Sequence, residues 1–560
     1  MEGINARLYS HDGDPIVFQG IKISGDLRGA MFEAVVEQRF YNPGEKNIEV
    51  VYDFPLPWNA VLLGVDVVLG DKRLTGAVVE KKEAEARYED AIADGDAAIM
   101  LEKRYDGSYG INLGNLAAGE SCVVTLRYAQ LLRFEQGGLR LAVPSVIAPR
   151  YGDPINDGGL QPHQVTQHDL CAEYPLQLEI RLHGELARAR VASPSHAIGV
   201  ENGADAHGAC LTVTLARAAV LDRDFVLVLD KLAHDSLVLV APDAVEAEKV
   251  VVLASFCPRL RAPQGADATA LPPVAVKILV DCSGSMEGDS IAAAREALHR
   301  IVGQLQDGDR FSLSRFGSAV THRSRGLWKV TEPTKAAART WSNQLEADMG
   351  GTEMEQALAS TFALTKAEAV CDVLLITDGE IHAIDLTLQT AKASGHRIFV
   401  VGIGASPAEA LLRRLAETTG GACDFVASGE GAQQAILRMF ARLRSPRVAE
   451  LTLEWPQGAE LEWVSPMSTA LFDGDTLDVF ALARKLPTGE IRLKGKNRDA
   501  AEMTVAQAEI APADETAANL SRLAAATRCS GAERAEATRL AVAYQLVSDH
   551  TNFLLIHERA

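Results

Sequence analysis

Two hydrophobic periods share this chain, and the place where one gives way to the other divides it. Between residues 15 and 80 the apolar positions recur in short runs closed by turn residues. Phe32, Ala34, Val36 and Gln38 alternate with Glu33, Val35, Glu37 and Arg39, which predicts a half-exposed strand. Asn42-Pro43-Gly44 marks a turn, residues 48–54 a strand stopped by Pro55-Leu56-Pro57, and residues 60–69 another before Gly70-Asp71. Residues 80–93 switch to helix formers with Glu83 four positions before Arg87, and Asp94-Gly95 ends that helix. Strands resume at 97–101 and 122–131, and apolar runs of strand length follow at 176–182, 210–215, 225–229, 237–241 and 250–254.

From residue 274 the text changes. Val274 to Val280 is apolar and rich in β-branched residues apart from Lys277, as suits a strand buried on both faces of a parallel sheet. A helical period follows from Ser290 through Ile291, Leu298, Ile301, Val302 and Leu305. Strands at 310–316, 373–376, 396–403 and 423–426 then alternate with helices at 335–345, 354–366, 386–393, 408–417 and 432–443. This alternation predicts an α/β, doubly wound parallel sheet covered on both sides. After Pro446 strand-length runs return at 448–455, 459–463, 476–483 and 490–493, then an Ala-rich helical stretch at 517–548. An apolar tract from Asn552 to His557 predicts a last strand, which needs β structure outside the α/β unit to bury it.

At 560 residues the chain exceeds one ordinary core. The pattern divides it into a β-rich unit at 1–135, a β-rich extension and linker at 136–270, the α/β unit at 271–445, and a C-terminal β and helical region at 446–560 that returns to the β unit. A net charge of −20 argues against nucleic acid or anionic membrane as a partner. No apolar stretch is long enough to span a bilayer and no leader pattern opens the chain, so the expected setting is cytoplasmic. The eight scattered cysteines include no C-x-x-C pair, so their spacing suggests neither a zinc site nor a disulfide framework, and free thiols are expected. Asp153, Asn156 and Asp157 read as turn chemistry, and His163, His168 and Asp169 as surface residues.

The candidate chemistry sits where predicted parallel strands end. Asp281, Ser283 and Ser285 carry an oxygen at every second position after the first buried strand, with Gly284 read as allowing a tight turn. Thr352 follows Gly350-Gly351 on a loop before a helical run, and Asp378 closes the strand at 373–376. All are expected on solvent-facing loops at the carboxyl edge of the sheet, where open α/β sheets place ligands. Two carboxylates and three hydroxyls make a hard, oxygen-only set that suits Mg²⁺ or Mn²⁺ and is poor for Zn²⁺. Ser283 lacks the G-x-S-x-G setting of a hydrolase nucleophile, and no G-x-x-x-x-G-K-[ST] loop is present.

This series, Asp-x-Ser-x-Ser, Gly-Gly-Thr and strand-Thr-Asp-Gly, resembles the metal-ion-dependent adhesion site of von Willebrand factor type A domains. The resemblance implies that Ser283, Ser285 and Thr352 contact a metal which Asp281 and Asp378 bind directly or through water. It further implies an open coordination position for a protein partner's Asp or Glu, and no catalytic residues. Gln38-Arg-Phe-Tyr-Asn42, Val51-Tyr-Asp-Phe-Pro-Leu-Pro57, Glu80-Lys-Lys-Glu-Ala84, Ala98-Ile-Met-Leu-Glu102 and Ala118-Gly-Glu120 resemble the vault/inter-α-trypsin inhibitor (VIT) domain over residues 10–135. Tyr544-Gln-Leu-Val-Ser548 and Thr551-Asn-Phe553 resemble the end of such proteins, of the inter-α-trypsin inhibitor heavy-chain-like family. The expected function is a metal-dependent interaction or scaffold protein; an adaptor for a separate AAA+ ATPase and a structural subunit of a large particle are the alternatives.

Overall fold

The computed structural model describes residues 8–9, 15–104, 108–145, 174–205, 208–230, 232, 235–258, 260, 273–364, 371–378, 384–403, 409–426, 431–496, 502–512 and 519–558. The acidic and histidine positions between 153 and 169 lie outside them. In the strand Met31–Tyr41 alternate side chains are buried, because one face of an antiparallel sheet covers a core and the other meets water. It pairs with Pro15–Arg28 on one side and Ser121–Leu131 on the other, and Val61–Leu69 follows. Beyond Pro15–Arg28 the sheet continues through Pro175–His183, which runs parallel to it, and then the hairpin of Gly208–Leu215 and Ile198–Asp205. These later strands thus extend the first sheet.

A second sheet stacks on the first, in the order Ile48–Phe54, Tyr109–Leu116, Ala97–Lys103, Thr551–His557, Ala77–Glu80. Phe32, Phe40, Val50, Phe54, Ile111 and Phe553 meet in the core between the sheets. The last strand of the chain lies between two strands of this N-terminal unit, antiparallel to both, outside the α/β unit as its pattern predicts. Its two faces explain the placement. Phe553 and Leu555 enter the common core, while Leu554 packs with Ala84 and Tyr88 of the helix Lys81–Ala93.

In the α/β unit, Ala275–Asp281 lies between Arg310–Phe316 and Asp372–Thr377, parallel to both, and Arg397–Ile403 and Cys423–Val426 follow. Each face carries its own apolar cluster: Ile278 and Val280 pack with Leu298 and Ile436 on one, Leu279 with Leu358 and Leu412 on the other. Lys277, wholly buried in this strand, is hydrogen-bonded through Nζ to the Phe362 carbonyl at 3.1 Å and to His396 Nε2 at 2.9 Å. Burial pushes the Lys277 ammonium below its usual range. The polar interruption of the apolar run is therefore a satisfied one.

The remaining strands form a third unit from both sides of the α/β unit. Leu237–Pro242, Val250–Phe256, Leu477–Lys485 and Glu460–Val464 make one sheet; Ala470–Phe472, Arg447–Glu454, Glu490–Lys496 and Glu502–Glu509 make the other. Val252, Phe256, Leu451, Val479 and Ile491 fill the space between them. The α/β unit is thus inserted between two strands of one sandwich. Arginines join it to its neighbours: Arg413 bonds to Glu135 at 3.2 Å and lies 5.4 Å from the Trp58 ring centre, and Arg442 pairs with Asp475. The helix Asn519–Gly531 wedges Leu520 and Leu523 against Ala129, Leu253 and Phe480, joining the first unit to the third.

Removing one side chain of the last strand should loosen its neighbours first. Leu555→Ala leaves a cavity in the common core and is expected to cost about 2–5 kcal/mol. Hydrogen exchange should show that loss in the amides of Ala97–Lys103 and Ala77–Glu80, with the α/β unit unaffected. Unchanged protection there would mean that the last strand is dispensable to the N-terminal unit.

Candidate metal centre

The strand order of the α/β unit fixes where its loops meet. From Ala275–Asp281 the chain runs first to Arg310–Phe316 on one side and later to Asp372–Thr377 on the other. The crevice at the carboxyl ends of the two diverging connections is the switch point of the sheet. Asp281 ends the first strand and Asp378 follows the third, so both carboxylates arrive at this crevice.

Backbone hydrogen bonds then bind the loops to one another. Cys282 N donates to the Phe316 carbonyl at 2.8 Å, Met349 N to the Cys282 carbonyl at 3.0 Å, and Gly284 N to the Gly350 carbonyl at 3.0 Å. The third loop, carrying Thr352, is thereby fixed beside the first. Gly317 and Gly350 make this approach possible. A Cβ on Gly317 would stand 2.5 Å from the Met349 carbonyl oxygen, and Gly350 adopts φ +75°. Gly284 is not under the same demand: it opens a short 3-10 turn, Gly284–Met286, and a Cβ there would meet open space.

Asp281 accepts two hydrogen bonds, from Ser283 N at 2.9 Å and from Thr377 Oγ1 at 2.6 Å. Ser283 Oγ and Ser285 Oγ are 3.1 Å apart. Asp281, Ser283 and Thr352 are buried, Asp378 is half-buried and Ser285 is exposed. The expectation of a solvent-facing Asp281 is therefore corrected: the carboxylate sits at the floor of the crevice, because the strand that carries it is covered on both faces. Burial, with Asp378 nearby, pushes the Asp281 carboxyl up to about 6 despite its two hydrogen bonds.

Two features of these residues fit a hard divalent cation. Asp281 and Asp378 are close enough that each opposes the other's charge, which a cation between them would relieve. Thr352 Oγ1 is buried with no hydrogen-bond partner among the described residues, an arrangement rarely left in a folded protein without a ligand or water. The set is oxygen-only, the chemistry of Mg²⁺ and Mn²⁺. Sequence reasoning did not single out Thr377, Gly317 or Ser318, whose Oγ accepts from Gly351 N at 2.9 Å. Thr377 stands directly before Asp378, so its position was on view, but its bond to a residue on another strand was not.

A carboxyl held up by burial sets a pH dependence for the metal-free protein. Because the folded carboxyl titrates near 6 and the unfolded one near 4, the folded state binds more protons between those values. Stability then falls as pH rises through that window, by about 3 kcal/mol in all. Asp281→Asn carries no such charge and should be the more stable protein at neutral pH in EDTA, with a shallower fall in stability from pH 4 to 6 than wild type. Equal slopes for the two proteins would show that Asp281 is not held against its charge.

Comparison with known proteins places both ends of this picture. Residues 18–128 match the family model of the vault protein inter-alpha-trypsin domain, and residues 274–425 that of the von Willebrand factor type A domain. The von Willebrand factor A domain-containing protein 5A of Homo sapiens is 25% identical over 520 residues, covering 86% of this chain and 64% of that protein. A von Willebrand factor A domain-containing protein of Dictyostelium discoideum is 22% identical, covering 84% of this chain and 55% of that protein. The chain thus spans less than two thirds of the length of either relative. A solved structure, the von Willebrand factor type A protein from Catenulispora acidiphila, is 17% identical with a TM-score of 0.36, covering 53% of this chain and 79% of that one. The chain thus carries a vault protein inter-alpha-trypsin domain followed by a von Willebrand factor type A domain, an order that fits the inter-α-trypsin inhibitor heavy-chain-like architecture.

Proposed function

We propose that this chain is a non-catalytic scaffold that captures a protein partner's Asp or Glu through a divalent cation held by Asp281, Ser283, Ser285, Thr352 and Asp378. The observation that carries the proposal is the buried, unpartnered Thr352 hydroxyl beside a crevice where two carboxylates oppose each other's charge. Bound Mg²⁺ or Mn²⁺ supplies a coordination position and a positive charge for the incoming carboxylate. The loops do the positioning, since their shared backbone bonds hold the hydroxyls and carboxylates before any partner arrives. A partner carboxylate adds negative charge to the cation, so metal and partner each tighten the other by the same factor.

Against catalysis stands the pairing of Ser283 Oγ with Ser285 Oγ: among the described residues it meets another hydroxyl, not a histidine able to take its proton. A cytoplasmic setting belongs to the same proposal and is supported by Cys122, Cys210, Cys282, Cys423 and Cys529, which carry no disulfide. Among those residues no helix is long and apolar enough to cross a membrane. Adaptor work for an AAA+ ATPase or membership of a large particle would use the same crevice and differ only in the partner.

Thr352→Val tests the site with little risk to the fold. Because the hydroxyl has no partner among the described residues, its removal should leave stability within about 1 kcal/mol or raise it. Mg²⁺ affinity, by calorimetry, should fall at least about tenfold, and Mg²⁺-dependent partner capture with it. Capture by wild type that is equally strong in EDTA would sink the proposal.

A further inference from the structure

A second cluster of ligand-type side chains lies in the first sheet, far in sequence from the α/β unit. His183 ends the strand Pro175–His183 and is in register with Cys210 on the neighbouring strand. Asp205 ends the next strand, Ile198–Asp205, where it faces Gly208 across the hairpin. On the other side of Pro175–His183 lies Pro15–Arg28, with Asp26 in register with Arg181. Adjacent strands therefore deliver an imidazole, a thiol and two carboxylates to one end of the sheet.

The geometry within the cluster is specific. One ligand atom each from His183, Asp205 and Cys210 falls within 4.8 Å of the others. His183 Nε2 lies 2.7 Å from Asp26 Oδ1, in a hydrogen bond, and Asp26 is itself held by Arg181 at 3.3 Å. His183 Nδ1 lies 2.7 Å from Asp205 Oδ2 but out of hydrogen-bond alignment, so this buried nitrogen has no hydrogen-bond partner among the described residues. With the proton on Nε2, donated to Asp26, the Nδ1 lone pair is left for a ligand, beside the Asp205 carboxylate and within 4.8 Å of the thiol sulfur.

We infer that His183 Nδ1, Asp205 and Cys210 Sγ form a three-ligand site for Zn²⁺, with Asp26 orienting the imidazole from its far nitrogen. The nitrogen, sulfur and oxygen donors select a borderline-soft ion and not the hard cation that suits the crevice of the α/β unit. A carboxylate on the far ring nitrogen is the usual outer partner of a zinc-bound histidine. Tetrahedral zinc, with bonds of about 2.0–2.3 Å, needs its ligand atoms about 3.3–3.7 Å apart. The pair now at 2.7 Å must open by about half an ångström, which Asp205 permits because it is part-exposed at the end of a hairpin. The ion would pin that hairpin, at the outer edge of the sheet, to the strand beside it, with its fourth position open to solvent.

Cobalt reports on this site directly. In the full, metal-stripped chain carrying Asp281→Asn, Co²⁺ should produce a thiolate-to-cobalt charge-transfer band in the near ultraviolet, and one equivalent of Zn²⁺ should remove it. Cys210→Ser should abolish the band, and Asp26→Asn should keep it while weakening metal affinity about 10–100-fold. Asp205→Asn, at a part-exposed position and nearly isosteric, should weaken Zn²⁺ at least about tenfold and covers the case in which Cys210→Ser fails to fold. Absence of the band in the parent chain, its survival in Cys210→Ser, or Zn²⁺ affinity unchanged in Asp205→Asn would each overturn the inference.

Discussion

An exposed strand edge beside a buried apolar face is costly, and this chain resolves it by pairing strands that are far apart in sequence. Thr551–His557 fills the gap between Ala97–Lys103 and Ala77–Glu80, and Val250–Phe256 pairs with Leu477–Lys485 across the whole α/β unit. Neither sandwich is complete until the C-terminal residues have been placed. The helix Asn519–Gly531 depends on the same closure, because the surfaces it wedges apart belong to the two sandwiches. Even its polar contacts are of this kind: Asp243, buried, accepts from Ser521 Oγ at 2.9 Å and from the Tyr544 hydroxyl at 2.8 Å.

The metal crevice obeys a different rule. Its parts are assembled by parallel pairing, and the arrangement favours binding over stability. Asp281 is buried where its charge is disfavoured, and Thr352 keeps a hydroxyl that no described residue satisfies. A fold selected for stability alone would place an apolar residue at either position. Backbone bonds between the loops absorb that strain, since they hold without help from the side chains that face the crevice.

Much of this was legible in residue order. Alternation at Met31–Tyr41 and the apolar run around Ile278 each carry a period that only one structure satisfies. Asp281 and Asp378 could be assigned to one edge because parallel strands allow nothing else. The sheet partners of 237–256 could not be assigned, since antiparallel pairing places no limit on sequence separation. His183, Asp205 and Cys210 were hidden for the same reason: strand register, and not spacing along the chain, brings them together. Cysteine spacing, which suggested no zinc site, is informative only when one segment supplies its ligands in pairs. The depth of Asp281 was missed because a strand-end residue counts as a loop residue in sequence and as a floor residue in a sheet covered on both sides.

The insertion of the α/β unit has a mechanical meaning. The strand leading into it, Val250–Phe256, belongs to one sheet of the third unit, and the strand leaving it, Arg447–Glu454, belongs to the other. Tension on the unit would therefore divide between two layers with a shared apolar filling, and neither strand could be drawn out without breaking its own ladder. A single tether would concentrate such a load at one flexible joint; two anchors in opposite layers make the unit a handle fixed on both sides.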